Sequence, residues 1–400
     1  MARILVVGGS LGGLMAANLL HRAGHDVTVL ERSSRSLQGR GAGIVTHEGL
    51  RATLRDCGVP VDRTLGVPVA SRVVLRADGE TECRWEHPQI LTSWGRLYAL
   101  LRAALPERCH RLGAAVTGVQ QDERGVSLRL ADGRHEEADL VIAADGVRST
   151  LRQQLAPEVQ PQYAGYVAWR GVCDEIALSR RTLSTLFPHF GFGLPEAEQM
   201  LGYPVAGADD STELGQRRWN FVWYRPAAAG AELEALMTDA DGVHHPEGIA
   251  PQQVSWRRIA AMREAARQRL APQFAEIVEK TAVPFLQPIV DFLPPPLAHG
   301  RVALLGDAAG VARPHVGMGV SKAGDDAQAL VKAIGALGAG AAALNRYDDA
   351  RRQAIAAVVE RARGLGAYMQ TAHGAKPPRD AAAVMHQTAI DPSLFDTYPP

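Results

Sequence analysis

Arg3-Ile4-Leu5-Val6-Val7-Gly8-Gly9-Ser10-Leu11-Gly12-Gly13 is the stretch from which the fold can be read. Residues 3–7 are a short apolar run of strand length, and a glycine-rich turn follows at once. Residues 14–23 carry the apolar spacing of a helix, Gly24 stands where a helix ends, and residues 27–30 make a second apolar strand that stops at Glu31. Strand, turn, helix and strand of these lengths form a βαβ unit. Its glycines let backbone N–H groups close on a pyrophosphate, the helix points its positive end at the same charge, and Glu31 can accept from ribose hydroxyls. The strict G-x-G-x-x-G spacing fails at its middle glycine, which is Ser10. The reading therefore rests on context, since an isolated turn of this kind also fits an ordinary βα connection.

Two later stretches have the same grammar. Residues 140–143 are a continuous apolar run, the kind buried on both faces of a parallel sheet, followed by Asp145-Gly146-Val147-Arg148-Ser149 and Arg152. Such a strand delivers an aspartate to its carboxyl end, where ligands sit in open α/β sheets, although Asp-Gly pairs are also common turns. Residues 301–305 make another strand. It runs into Gly306-Asp307-Ala308-Ala309, then Arg313-Pro314-His315-Val316-Gly317-Met318-Gly319, then a helix entered near Ser321. Asp307 can hold sugar-like hydroxyls, and the glycine loop with its helix N-terminus offers N–H groups to developing negative charge. Alone, the same residues fit a helix cap and a turn.

Outward from these pieces the chain changes character. Residues 71–84 and 116–130 alternate, with Asp78-Gly79 and Asp132-Gly133 as turns, and read as antiparallel hairpins. Residues 163–283 hold most of the tryptophans and further alternating runs, and read as a second domain inserted into the first. The expected division assigns residues 1–72, 98–162 and 284–375 to a nucleotide-binding domain with C-terminal helices. Residues 73–97 and 163–283 go to the inserted domain, and residues 376–400, without clear periodicity, to a tail.

Composition narrows the function. Lys plus Arg and Asp plus Glu both count 43, so net charge is zero and no general polyanion partner such as nucleic acid is implied. The four cysteines have no metal-like spacing and suit reduced thiols, so no metal site is expected. Glycines break the N-terminal apolar run too early for a signal peptide, and no apolar stretch has membrane-spanning length. A cytoplasmic protein without membrane association is the expectation.

In order and spacing, the three pieces resemble the fingerprint, Asp-Gly and Gly-Asp motifs of the flavoprotein aromatic hydroxylases, the family of p-hydroxybenzoate hydroxylase. Residues 163–172, Tyr163-Ala164-Gly165-Tyr166-Val167-Ala168-Trp169-Arg170-Gly171-Val172, extend the resemblance into the inserted domain. It implies an α/β fold, with a Rossmann-like FAD-binding domain, an inserted mixed β-sheet substrate domain and C-terminal helices. It implies that Gly8, Gly9, Ser10, Leu11 and Gly13 bind the FAD pyrophosphate, and Glu31 with Arg32 the adenosine ribose. Asp307 would serve the ribityl chain or pyrophosphate, Gly317, Met318 and Gly319 the flavin pyrimidine edge, and Asp145 both FAD and the docking of the donor. Gly41 and Gly43 would lie against the isoalloxazine ring. Departures from the family pattern are Gly310 where many relatives have histidine, Ser321 for asparagine, Ala143 for glycine, and Trp94 for an arginine unless Arg96 supplies it.

The chemistry implied by the resemblance uses NADH or NADPH as transient electron donor and O2. A hydroperoxide at flavin C4a then hydroxylates a small electron-rich aromatic or N-heteroaromatic ring, dihydroxypyridine-like. An ionisable ring hydroxyl needs a proton acceptor. His315, beside the flavin loop, is the first candidate and His47 the second. Tyr203, Trp223, Pro314 and His315 are the expected pocket, with Trp169 and Tyr224 as further aromatic candidates. Arg170 and Arg313 either attract an anionic substrate or pair with carboxylates. Relatives suggest a homodimer. The competing readings are a flavin-dependent epoxidase or oxidase of a larger natural product, and a dinucleotide-binding protein without turnover.

Overall fold

Continuous apolar strands and alternating strands end up in different layers. The structure, a computed structural model, describes residues 1–35, 37, 43–122, 125–370 and 378–399. The chain opens with β1 (Arg3–Val7), α1 (Leu11–Arg22), β2 (Asp26–Glu31), β3 (Gly43–Val45), α2 (Glu48–Asp56), β4 (Val67–Leu75), β5 (Thr81–Ser93) and α3 (Trp94–Ala104). Then come β6 (His110–Leu112), β7 (Val116–Gln121), β8 (Val126–Leu130), β9 (His135–Ala138), β10 (Leu140–Ala143) and α4 (Thr150–Leu155). The middle holds β11 (Gln162–Asp174), α5 (Arg180–Leu186), β12 (His189–Gly193), β13 (Gln199–Val205), β14 (Arg218–Pro226), α6 (Ala231–Leu236), α7 (Trp256–Arg269), α8 (Pro272–Lys280) and β15 (Phe285–Asp291). The chain closes with β16 (Ala298–His299), β17 (Val302–Leu304), α9 (Gly319–Leu337), α10 (Ala341–Gly366) and α11 (Ala381–Gln387).

The first sheet has the order β16-β17-β10-β1-β2-β6. All its neighbours are parallel except β16 with β17. Ile4, Leu5 and Val6 of β1 and all four residues of β10 are fully buried, as strands covered on both faces must be. Helices α1, α2, α3, α9 and α10 complete this layer, with α1 and α10 both packed on α9. A separate meander, β7-β8-β9, lies beside it.

The second sheet has the order β15-β11-β14-β13-β12-β4-β5-β3 and is mixed, with β12 parallel to β4 and the other pairs antiparallel. Its alternation separates two cores. Trp219, Phe221 and Trp223 of β14 join the cluster containing Met262, Phe274 and Ile277 of α7 and α8. Val222 and Tyr224 join the opposite cluster, with Tyr166, Phe190 and Tyr203. After β3, the chain re-enters this sheet at Val67 and leaves it at Ser93, somewhat before the expected 73 and 97, and α3 returns to pack on α1. Ser93 caps α3 by accepting from the Arg96 N–H.

The expected tail is structured over much of its length. Asp380 accepts from the N–H groups of Ala382 and Ala383 and so starts α11. Fully buried Arg72 of β4 donates to the carbonyls of Met385, Thr388 and Ala389. Weak periodicity hid this segment because its order comes from a cation more than 300 residues earlier. Among the described residues, no helix is long and apolar enough to cross a membrane.

Candidate active site

The three sequence pieces converge because β17, β10, β1 and β2 are neighbours, and each ends in its motif. Gly8 has φ 105°, and a Cβ there would stand 2.3 Å from the Ala144 carbonyl oxygen. A Cβ at Gly13 would stand 2.0 Å from the Gly8 carbonyl oxygen. Only bare backbone fits the turn. Ser10 occupies the cap position of α1 without a side-chain cap bond, and the first turn of α1 has no acidic residue. The same holds for Met318 and α9, and the space beside Gly319 is open. Two helix N-termini thus keep N–H groups available to an anion.

Carboxylates stand around this cradle. Buried Glu31 accepts from the N–H groups of Gly9 and Ser33, both at 2.8 Å, while Arg32 beside it is exposed. Asp145 accepts from Leu151 N–H at 3.3 Å, and its Oδ1 is buried without a partner among the described residues. Burial raises the Asp145 carboxyl above its ordinary range, against hydrogen bonds from Ser149 and Leu151. Asp307 is open to solvent by surface, yet enclosure by protein raises its carboxyl, with Lys322 opposing and Asp326 adding to the shift. Surface access and dehydration coincide where a carboxylate lies in a concave surface walled by protein.

The Gly306-Asp307 loop is fixed from below. Lys322 donates from Nζ to the Gly306 carbonyl at 2.7 Å and pairs with Asp326 at 3.3 Å, both side chains being fully buried. Asp326 also accepts from Gly306 N–H and pairs with Arg351 at 2.8 Å. Arg152 joins the other two motifs by donating to the carbonyls of Val147 and Ala308.

Both candidate histidines are buried. His315 Nε2 lies 2.9 Å from Tyr166 Oη, its ring centroid is 4.2 Å from that of Tyr224, and its Nδ1 has no partner among the described residues. Burial, aided by Arg313 and Arg379, pulls its pKa down to about 3. His47 Nδ1 meets Ser321 Oγ at 3.0 Å, and its Nε2 is likewise without a partner. Burial pulls His47 down to about 4, against Asp391. Both rings are neutral at pH 7. Ala389, at the end of the tail helix, donates its N–H to the His315 carbonyl at 2.8 Å.

The expected pocket divides. Tyr203 and His315 lie on one side of the second sheet, and Tyr224, the further candidate, lies with them. Trp223 does not: it faces α7 and α8 and donates from Nε1 to Glu198 at 2.9 Å, because adjacent strand residues point to opposite faces. Trp169 shares that far side. Pro314 is exposed at the start of the Pro314–Val316 turn. A Cβ at Gly43 would meet the Tyr203 ring at 2.2 Å, so the missing side chain makes room for that tyrosine; Gly41 lies outside the described residues. Trp94 stacks on Tyr98, and Arg96 is engaged with Thr64 and Asp210. Sequence reasoning missed Lys322 and Asp326, whose i,i+4 spacing was the available signal, and the role of Tyr166 in the 163–172 stretch.

A backbone cradle that any Cβ would fill, two uncapped helix ends and an unpartnered buried carboxylate oxygen fit FAD, with its pyrophosphate and polar flavin edge. The chain matches the FAD binding domain family over residues 1–180 and 242–362, and an FAD binding domain-like family over 163–291. It belongs to the FAD-binding family of flavoprotein aromatic hydroxylases, and is an FAD-dependent monooxygenase supplied with electrons by NADH or NADPH. It is 35% identical over 335 residues to 2,6-dihydroxypyridine 3-monooxygenase of Paenarthrobacter nicotinovorans, covering 82% of each chain. The solved 2,6-dihydroxypyridine-3-hydroxylase of Arthrobacter nicotinovorans superposes with a TM-score of 0.87 at 31% identity over 95% of each chain. The 6-hydroxynicotinate 3-monooxygenase of Bordetella bronchiseptica is 27% identical over 88% of each chain.

Proposed function

We propose that this enzyme hydroxylates a small, electron-rich ring of the dihydroxypyridine kind, with one atom of O2 entering the ring and the other leaving as water at the expense of NADH or NADPH. One observation carries the reading. The loop that opens α9 also presses His315 against Tyr224 of the second sheet, so cofactor loop and aromatic face meet in one residue. The likeness to a dihydroxypyridine monooxygenase over most of both chains supports the same substrate class.

FAD, when bound, supplies the electron transfer and oxygen activation that side chains cannot. The chain's own part is placement. Gly8, Gly9, Ser10, Leu11 and Gly13 with the α1 N-terminus hold the pyrophosphate, Glu31 and Arg32 the ribose end, and Asp145 and Asp307 the polar linker. Gly317, Met318 and Gly319 would present the α9 N-terminus to the electron-rich edge of the flavin. Tyr203, Tyr224, Pro314 and His315 shape the space for the substrate. A histidine held at about 3 does not keep a proton at neutral pH, so His315 hydrogen-bonds a ring hydroxyl through Nδ1 and does not store its proton. His47, tied to Ser321, plays the same orienting part at the entrance to α2. Four free cysteines suit a reducing compartment such as the cytoplasm.

The test is NADH and NADPH oxidation by the purified yellow protein, with and without 2,6-dihydroxypyridine and a panel of phenols. Oxidation stimulated by one ring, with a product one oxygen heavier, is the expected result. Stimulation only by large polycyclic compounds overturns the substrate class. Asp307→Ala should fold and lose most of its FAD, read by flavin absorbance after gel filtration, because it removes a cleft-floor carboxylate and no core side chain.

A further inference from the structure

Arg170 is a cation without an ion-pair partner among the described residues, set in a wall of tyrosines. Its neighbour in candidacy, Arg313, pairs with Asp291 at 2.6 Å, both being buried. Arg170 instead donates from Nη1 to the neutral Gln287 at 3.0 Å, and its buried Nε has no partner among the described residues.

Register fixes what Arg170 faces. On the β11–β14 pair it stands opposite Val222, with Tyr224 and Asn220 as its diagonal neighbours on the same face. On β13, Tyr203 stands opposite Asn220. The guanidinium's positive charge reaches both tyrosines: burial raises their hydroxyls and Arg170 opposes the rise in each. Asn220 is fully buried, spends its Oδ1 on the Gly43 N–H at 3.0 Å, and leaves Nδ2 without a partner. The groups facing Arg170 are thus Tyr203 from β13, Asn220 and Tyr224 from β14, and Gln287 and Phe285 from β15, the last under its guanidinium at 5.8 Å. No carboxylate stands among them.

Buried donors left without acceptors are costly unless a ligand completes them. We propose that Arg170, with Asn220 beside it, recognises an ionised ring oxygen of the substrate and so selects the hydroxyl-deprotonated form of the ring. This rests on the hydroxylase reading above and deepens it. It also resolves a difficulty in that reading. Neither buried histidine holds a proton at neutral pH, so the ring proton leaves to solvent and the negative oxygen is held by the guanidinium. The ionised ring is the more electron-rich one, and the site that binds it favours the reactive form.

The experiment uses FAD-loaded wild type, Arg170→Met, Arg170→Gln and Arg170→Lys. Binding of 2,6-dihydroxypyridine is followed by the perturbation of flavin absorbance from pH 6 to 9, together with steady-state kinetics. Wild type should bind more tightly as the ligand ionises. Arg170→Met should keep its FAD, lose most of that pH dependence, and raise KM by about 10- to 100-fold at pH 7, the range expected for a lost charge-assisted hydrogen bond, with kcat changed far less. Arg170→Lys should restore the pH dependence in part. Should Met fail to fold, Gln removes the charge while keeping a polar side chain, and is read in the same way. If the charge-neutral variant retains the wild-type pH dependence and KM within about twofold, the assignment of Arg170 is wrong and the hydroxylase reading stands. If wild type binds no ring of the panel and none stimulates NADH oxidation, the hydroxylase reading falls and this assignment falls with it.

Discussion

At the ends of β1, β10 and β17 the groups that face a ligand are mostly backbone; on the Tyr224 side of β14 they are side chains. The cofactor cleft is built from N–H groups, bare glycines and helix ends, with carboxylates placed around them, and at Gly8 and Gly13 it tolerates no side chain. The proposed substrate face is built from Tyr166, Tyr203, Tyr224, His315 and Arg170, which come from three strands and a loop. A cofactor that never changes can be met by the geometry of the main chain. A ring that differs from enzyme to enzyme must be met by exchangeable groups on a fixed sheet.

The largest test of this contrast is Gly8→Ala. Its φ of 105° and the 2.3 Å approach to Ala144 leave no place for a methyl group, so the turn should break, at about 4 kcal/mol or more. We expect little folded protein and no retained flavin, read by urea denaturation and absorbance. A stable yellow variant would show that the cleft is not the rigid backbone cradle described.

Acidification should act next, and on the other region. His47 and His315 are depressed by burial to about 4 and about 3, below their unfolded value near 6.5. Their neutral burial therefore contributes stability that is full above about pH 6.5 and is lost as pH falls toward their folded values. Between pH 7 and pH 5 each should cost about 2 kcal/mol, measured as a lower urea midpoint. In His315→Gln the loss should shrink by that residue's own share of about 2 kcal/mol, while other depressed histidines such as His87 and His110 keep theirs. An unchanged pH slope in the variant would place the ring in water and not in the buried wall.

Trp223→Phe should have the smallest effect. It removes the bond to Glu198 on the far side of the sheet, so stability should fall by about 1 kcal/mol while KM and kcat stay within about twofold. A raised KM with unchanged stability would erase the distinction between the two faces.

The contrast also explains which residues could be read in advance. Gly8, Gly13, Glu31, Asp145 and Asp307 announce themselves locally, because a strand followed by a glycine turn and a helix is a contiguous signal. Trp223 and Tyr224 are adjacent, both aromatic and both buried, and nothing in the alternation says which face meets the cofactor. Lys322 and Asp326 resemble an ordinary surface pair until α9 is buried by α1 and α10. The tail helix was illegible for a similar reason: its carbonyls are satisfied by Arg72, a contact that only packing creates.

By itself, then, the order of residues determined the βαβ start, the three motifs and their cofactor chemistry, since these depend on short-range backbone geometry and on the charge at helix ends. The tertiary structure alone decided that Arg313 is tied to Asp291 while Arg170 is left facing the tyrosines, and that His315 lies against Tyr224. Those outcomes depend on strand register and on which face of a sheet is covered, and both are set by contacts far apart in the chain.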